Sequence, residues 1–165
     1  GETPVNKHLD IELHSQTISD LIYSVTTRVT HQLAQIDLRP TPIDQTLDDE
    51  PHVVYTTLSG AYQTKLILYA HRGFLQRLAE NMSGKPLSGL DDLEEYSKEF
   101  FNVLCGQIVR EIFQLSKAGA YFHSPIFLRK CPASVLDPSR PLTSLNFIDD
   151  QSGQLTVLYG ELRPT

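Results

Sequence analysis

Cysteine is scarce: Cys105 and Cys131 are the only two in 165 residues, one inside a helical run and one beside Pro132. With no second pair at metal-ligand spacing, a disulfide framework or a zinc ribbon is excluded, and both thiols are expected to be reduced and buried in a cytosolic protein. Long apolar runs are missing as well. No stretch approaches the roughly 18 residues that cross a bilayer, and Gly1 to Pro4 shows neither the basic nor the apolar segment of a signal peptide. Neither export nor membrane insertion is expected, and Gly1 in place of Met is given no structural weight. Basic charge is also short. Fourteen Lys plus Arg against twenty Asp plus Glu leave a net charge of -6, which disfavours a nucleic-acid partner.

What is present fits a packed globular chain: 40% hydrophobic and 21% charged residues. At roughly 150 residues per domain the length predicts about one domain. Residues 1–14 are expected to form a flexible N-terminal segment ahead of a single domain over 15–165.

From Ser15 to Gln35, Ile18, Ile22, Val25, Val29 and Leu33 recur at helical spacing, and Thr17 with Asp20 resembles a capping box. Asp37 to Pro51, broken by prolines and acids, reads as a connection with room for a short edge strand, and its Leu47 to Glu50 as a solvated loop. His52 to Leu58 and Tyr62 to Tyr69 read as a hairpin closed at Ser59-Gly60, with Tyr62, Thr64, Leu66 and Leu68 on one face. His71 to Met82 predicts a short helix ending near Gly84. The longest element is a helix from about Ser88, with Asp91 as its capping partner, through Lys117 to a stop at Gly119. Ala120 to Lys130 is strand-like and Cys131 to Leu142 a loop. Ser144 to Ile148 and Gln154 to Leu162 form a second hairpin around Ser152-Gly153. Leu58 to Thr64 and Gln151 to Thr156 echo one another, suggesting two related halves, each a helix followed by a hairpin. The fold class is α+β, with long helices packed on a largely antiparallel sheet.

On the long helix, taken at about 100° per residue, Glu95, Asn102 and Gly106 lie within about 60° of Glu99. Phe101, Leu104, Ile108, Ile112 and Leu115 gather on the opposite side, which the helix must bury. Val103 and Phe113 fall in the exposed sector and Val109 at its margin, as apolar side chains available for docking. Asn is a poor helix former and Gly106 costs about 1 kcal/mol relative to Ala in a helix interior. Two unfavourable residues on one exposed face suit a binding surface: the acid accepts from a partner cation, the carboxamide holds a water, and Gly106 admits a partner backbone.

These residues resemble the CheC/CheX/FliY class of chemotaxis phosphatases, which act on the phosphorylated receiver CheY. The pattern of that class is Asp or Ser, three residues, Glu, two residues, Asn, twenty-two residues, Pro. Glu99 and Asn102 match it, and Pro125 in Phe122-His123-Ser124-Pro125 falls at the required distance, whereas the leading position holds Glu95. The resemblance implies a CheX-like chain with a single site, an α+β fold and a cytoplasmic homodimer built through an edge strand or the first helix. It implies hydrolysis of the aspartyl phosphate of a CheY-like receiver domain in two-component signalling. Asn102 would position the attacking water, Glu99 would pair with the receiver lysine, Glu95 would extend the contact, and Pro125 would shape the strand beneath the helix. The Mg²⁺ of such a reaction sits on the receiver, so no cofactor or metal is expected on this chain. A non-catalytic receiver-binding or flagellar-switch-associated adaptor is the alternative.

A metal or nucleophilic hydrolase is less well supported. His8, His14, His31, His52, His71 and His123 show no H-x-x-x-H spacing, and Cys105 lies close to the core face. Ser83-Gly84-Lys85-Pro86 lacks the pattern of a phosphate-binding loop and reads as a turn between helices.

Overall fold

The computed structural model describes residues 15–42, 51–129 and 141–164. In chain order the elements are α1 (Ser15–Ala34), β1 (Arg39–Pro40), β2 (His52–Gly60), β3 (Tyr62–Ala70), α2 (Arg72–Ser83), α3 (Leu90–Ser116), β4 (Ala120–Phe122), β5 (Ile126–Leu128), β6 (Leu142–Ile148), β7 (Gln154–Gly160) and β8 (Arg163–Pro164). The strands form one antiparallel sheet in the order β1-β6-β7-β3-β2-β4, with β5 also on β2 and β8 on β3.

The order has a two-fold logic. Each long helix leads to a short strand that leaves its own hairpin and pairs with the outer strand of the other: β1 joins β6 at Arg39↔Ile148, and β4 joins β2 at Leu58↔Phe122. The hairpins β2–β3 and β6–β7 meet along β3 and β7, where Leu68 faces Val157. Two related halves are therefore present in the topology. The echoed Ser-Gly pairs do not occupy equivalent places, because Gly60 ends β2 whereas Gly153 sits directly before β7.

All three described helices pack on one face of the sheet. Ile18, Ile22, Val25 and Val29 of α1, Phe74, Leu75 and Leu78 of α2, and Phe100, Phe101, Leu104 and Ile108 of α3 close over Leu66, Leu68, Phe147, Leu155 and Val157. The alternation expected for Tyr62, Thr64, Leu66 and Leu68 holds, since all four are buried. On the opposite face a smaller cluster surrounds Val53 and Ile67.

Several ends differ from expectation for local reasons. Helix α1 is already helical at Ser15, so Thr17 lies inside its first turn, and Asp20 instead accepts from Gln16 Nε2 at 3.2 Å. The N-cap of α3 is Gly89, and Ser88 is held by Asp92, not Asp91, through both its backbone N–H at 3.2 Å and its hydroxyl. These bonds draw the Asp92 carboxyl below its ordinary pKa. At the other end Lys117 takes the left-handed cap at φ 61°, two residues before Gly119. The Gly119 carbonyl instead accepts from Ala61 N–H at 2.9 Å, and a Cβ on Gly60, at φ 107°, would stand 3.0 Å from that oxygen. Gly60 is thus required both by its backbone angle and by close approach. Ala120 to Lys130 is not one strand. Pro125 has no N–H for the ladder, and pairing on β2 resumes at Tyr55↔Ile126, one residue out of step with Leu58↔Phe122. Cys131, His8, His14 and the Leu47 to Glu50 loop lie outside the described residues.

Polar ties join the layers, among them Ser19 of α1 with Tyr159 of β7. Tyr62 donates its hydroxyl to Ser116 Oγ, which donates in turn to the Ile112 carbonyl at 2.8 Å, holding the end of α3 on β3. Arg77 of α2 forms an ion pair with Asp149, whose carboxylate is 3% exposed and also accepts from Gln151 N–H at 2.9 Å and Gly153 N–H at 2.8 Å.

His52 is buried, stacks on Phe127 and donates from Nδ1 to the Arg129 carbonyl at 3.0 Å. Burial, opposed in part by that hydrogen bond and aided by the charges of Arg72 and Arg129, holds its pKa below the usual 6.5. The unfolded chain therefore takes up the proton first. Stability is undiminished above about pH 6.5 and falls as pH drops through the lower folded value. Urea midpoints at pH 7.5 and 5.5 should differ more for wild type than for His52→Gln; an equal drop in both would remove His52 from the account.

Candidate functional site

The site is a solvent-facing stripe on α3, and the burial of the opposite face fixes where it points. Phe100, Phe101, Leu104, Cys105, Ile108 and Ile112 are buried, which turns Glu95, Glu99 and Asn102 outward. Leu115 was expected among the buried residues and is 44% exposed. It sits in the last turn of the helix, beside Ser116. Burial raises the Cys105 thiol well above its ordinary pKa, so it is neither ionised nor accessible as a nucleophile.

Glu95, Glu99 and Asn102 are exposed, and no hydrogen bond or ion pair engages their side chains within the described residues. Their neighbours behave differently. Glu94 approaches Lys98 at 3.8 Å, and Glu111 meets Arg28 of α1 at 3.4 Å. Glu95 and Glu99 stand four residues apart on one face, a like-charge spacing that destabilises an isolated helix by about 0.2–0.5 kcal/mol. Asn102 is one turn further and adds a donor and an acceptor. The three offer two carboxylates and a carboxamide, all unspent, on a helix whose back is locked into the core.

Gly106 continues the stripe. A Cβ there would meet nothing within 4 Å, so neither packing nor backbone angle demands glycine. Gly106→Ala is expected to raise stability by up to about 1 kcal/mol and to weaken any partner that lies against the bare backbone. Urea unfolding reads the first effect and partner titration the second; unchanged binding would show that Gly106 is not a contact. Val103 is 36% exposed and Phe113 47%, as their place on the helical wheel predicts, while Val109 is half-buried.

Pro125 lies in the 123–125 break between β4 and β5, both of which touch α3. The break is pinned by Thr56, whose hydroxyl donates to the His123 carbonyl at 2.6 Å, and by His123 N–H to the Thr57 carbonyl at 3.2 Å. Pro125 thus belongs to the bulge beside the helix and not to a continuous strand.

One stripe residue went unnoticed in the sequence: Arg110, exposed and about 20° from Glu99 on the wheel. A signal was available, since none of the residues three or four positions away, Gly106, Gln107, Phe113 and Gln114, is an acid.

Among the described residues no three of His, Cys, Asp and Glu cluster as a metal site would require, and no helix is long and apolar enough to cross a membrane.

No protein-family model matches the sequence, and no curated protein does. Solved structures do. The chemotaxis protein CheX from Vibrio vulnificus superposes with a TM-score of 0.71 at 15% identity, over 87% of this chain and 95% of that one. The CheX of a CheX-CheY-BeF3-Mg+2 complex from Borrelia burgdorferi gives 0.70 at 13% identity, over 87% and 96%. FliY from Thermotoga maritima gives 0.64 at 10% identity, over 99% and 92%. The fold is that of the CheC/CheX/FliY proteins.

Proposed function

We propose that this chain, built on the CheC/CheX/FliY fold, is a member of that family and a phosphatase for the aspartyl phosphate of a CheY-like receiver domain. The observation that supports the reading most is the pair Glu99 and Asn102: unbonded, exposed, one helical turn apart and mounted on a rigid element. A relative in fold, the Borrelia burgdorferi CheX, is found in complex with CheY.

The chemistry follows from what these groups can do. Dephosphorylation is an in-line attack of water at phosphorus, in which the bond to the receiver's aspartate breaks and a carboxylate leaves. Catalysis is then mostly positioning and charge stabilisation. The Asn102 carboxamide oxygen accepts from the attacking water, turning a loosely oriented molecule into one aligned with the breaking bond. Glu99 pairs with the active-site lysine of the receiver and thereby places Asn102. Glu95, one methylene longer than Asp, still reaches a donor on the partner's rim. Mg²⁺ stays with the receiver, and this chain brings no cofactor.

The test is the decay of aspartyl phosphate on a receiver domain from the same genome, with and without this chain. Acceleration supports the phosphatase. A receiver that binds while decay is unchanged makes the protein a non-catalytic adaptor of the same fold. The proposal includes a homodimer in the cytoplasm, and sedimentation of the purified chain measures the dimer.

A further inference from the structure

The phosphatase reading uses the N-terminal half of the α3 stripe and gives the C-terminal half only apolar docking, which leaves Arg110 without a task. That half carries Arg110 and Phe113. Arg110 is exposed and has no ionic or hydrogen-bonding partner within the described residues. Phe113 is 47% exposed. Gly106, where a Cβ would meet nothing within 4 Å, stands between them and Asn102.

Three observations make Arg110 more than a solvated surface cation. First, none of its helical neighbours is an acid: Gly106 and Phe113 are apolar, Gln107 is already engaged by Arg28 Nη2 at 3.4 Å, and Gln114 is an uncharged amide. Lys98, by contrast, stands four residues after Glu94 and approaches it. Second, the chain is acidic overall, with a net charge of -6, yet Arg110, a cation unpaired within the described residues, stands in line with two acids that are likewise unpaired there. Third, the helix is held at this end. Arg28 bonds both Glu111 and Gln107, and Ser116 is tied to Tyr62. The spacing of Arg110 from Glu99 is therefore fixed, eleven residues or about 16 Å along the axis, and Phe113 lies about 21 Å from Glu99.

We infer that Arg110, with Phe113 beside it, is a specificity-determining contact that selects the receiver and sets the direction in which it docks. This rests on the phosphatase reading of the Glu99 and Asn102 end. The partner surface it fits carries an acidic side chain about 16 Å from the cation that Glu99 meets, with an apolar contact next to it. The order of charge along the stripe is acid, acid, amide, gap, cation, aromatic. A receiver laid down in reverse would bring its lysine onto Arg110 and its acid onto Glu95 and Glu99. Both like-charge contacts penalise that arrangement, so the stripe discriminates by repulsion as well as by attraction. Arg110 is distant from the reacting phosphorus and acts on encounter and binding, not on the chemical step.

The experiment is steady-state dephosphorylation of a receiver domain from the same genome, phosphorylated with acetyl phosphate, by wild type, Arg110→Glu and Arg110→Lys. Arg110→Glu is expected to raise KM about tenfold with kcat within twofold of wild type, and Arg110→Lys to recover most of the loss. Because Arg110 makes no hydrogen bond or ion pair within the described residues, urea midpoints of all three should coincide. Unchanged KM in Arg110→Glu, with wild type active, overturns this inference and leaves the phosphatase standing. If wild type does not accelerate decay, the phosphatase reading fails. The same variants are then titrated against the receiver loaded with beryllofluoride: weaker binding by Arg110→Glu upholds the contact, and equal binding or none by wild type overturns it.

Discussion

Asn102→Ala is expected to reduce acceleration of receiver dephosphorylation about a hundredfold while leaving KM nearly unchanged. A water held in line by one carboxamide loses its orientation when the carboxamide goes, and misplacement of a reacting group by about 1 Å is enough for a loss of that size. Receiver binding is expected to survive, since the proposed Glu99 and Arg110 contacts are untouched. The fold is expected to tighten slightly. Asn102 is exposed and unbonded, and alanine is the better helix former by up to about 0.7 kcal/mol. Loss of activity in a protein that melts no earlier than wild type is a combination a folding defect cannot produce. Asn102→Asp should be at least as inactive, since it places a carboxylate against a phosphoryl group. Retention of more than a third of wild-type kcat in Asn102→Ala would move the water-positioning role elsewhere.

The second large effect is on stability. Asp149→Ala is expected to cost about 3 kcal/mol, read as a lower urea midpoint at unchanged m. The carboxylate is 3% exposed and receives Arg77 together with the N–H groups of Gln151 and Gly153. Removing it strands a cation beneath α2 and two backbone donors in the β6–β7 turn. Breaking a buried pair in this way costs roughly 3–5 kcal/mol, and the lower end applies because Arg77 keeps 24% of its side chain exposed and can recruit water. The fall should exceed that of Asp150→Ala, whose bond to Arg39 is on the surface. Equal small losses from the two would mean that the buried pair contributes no more than a surface one.

How far the sequence could be read depended on whether the deciding interactions were local. Helix α2 followed from its apolar spacing and from Gly84, which takes φ 74° as a cap should. The exposed stripe was legible because burial of the opposite face of α3 is a periodic signal, and Glu99, Asn102 and Gly106 fell on it. The break at 123–125 was less visible, because a proline near a strand does not say which neighbour it fails to pair with. Leu115 carried the right spacing for burial and is 44% exposed in the last turn, an outcome that spacing alone does not reveal. Arg77 with Asp149 was beyond reach. The two residues are far apart in the chain and meet only because α2 crosses to a turn of the other half. Arg110 was overlooked for another reason: no acid stands three or four residues away on its helix, and an absence draws less notice than a motif.

The exchange of short strands between the halves bears on how the chain folds. Neither half can complete its share of the sheet alone, since β1 finds its partner only in β6 and β4 only in β2. An isolated half would leave a hairpin edge open and a helix with half a floor. The chain should therefore fold as one cooperative unit, slowed by the loop closure that such distant pairings demand. A cut between α2 and α3 should yield fragments that are unstructured apart and fold on mixing. The internal duplication thus leaves no independent modules: each half serves as the template on which the other is finished.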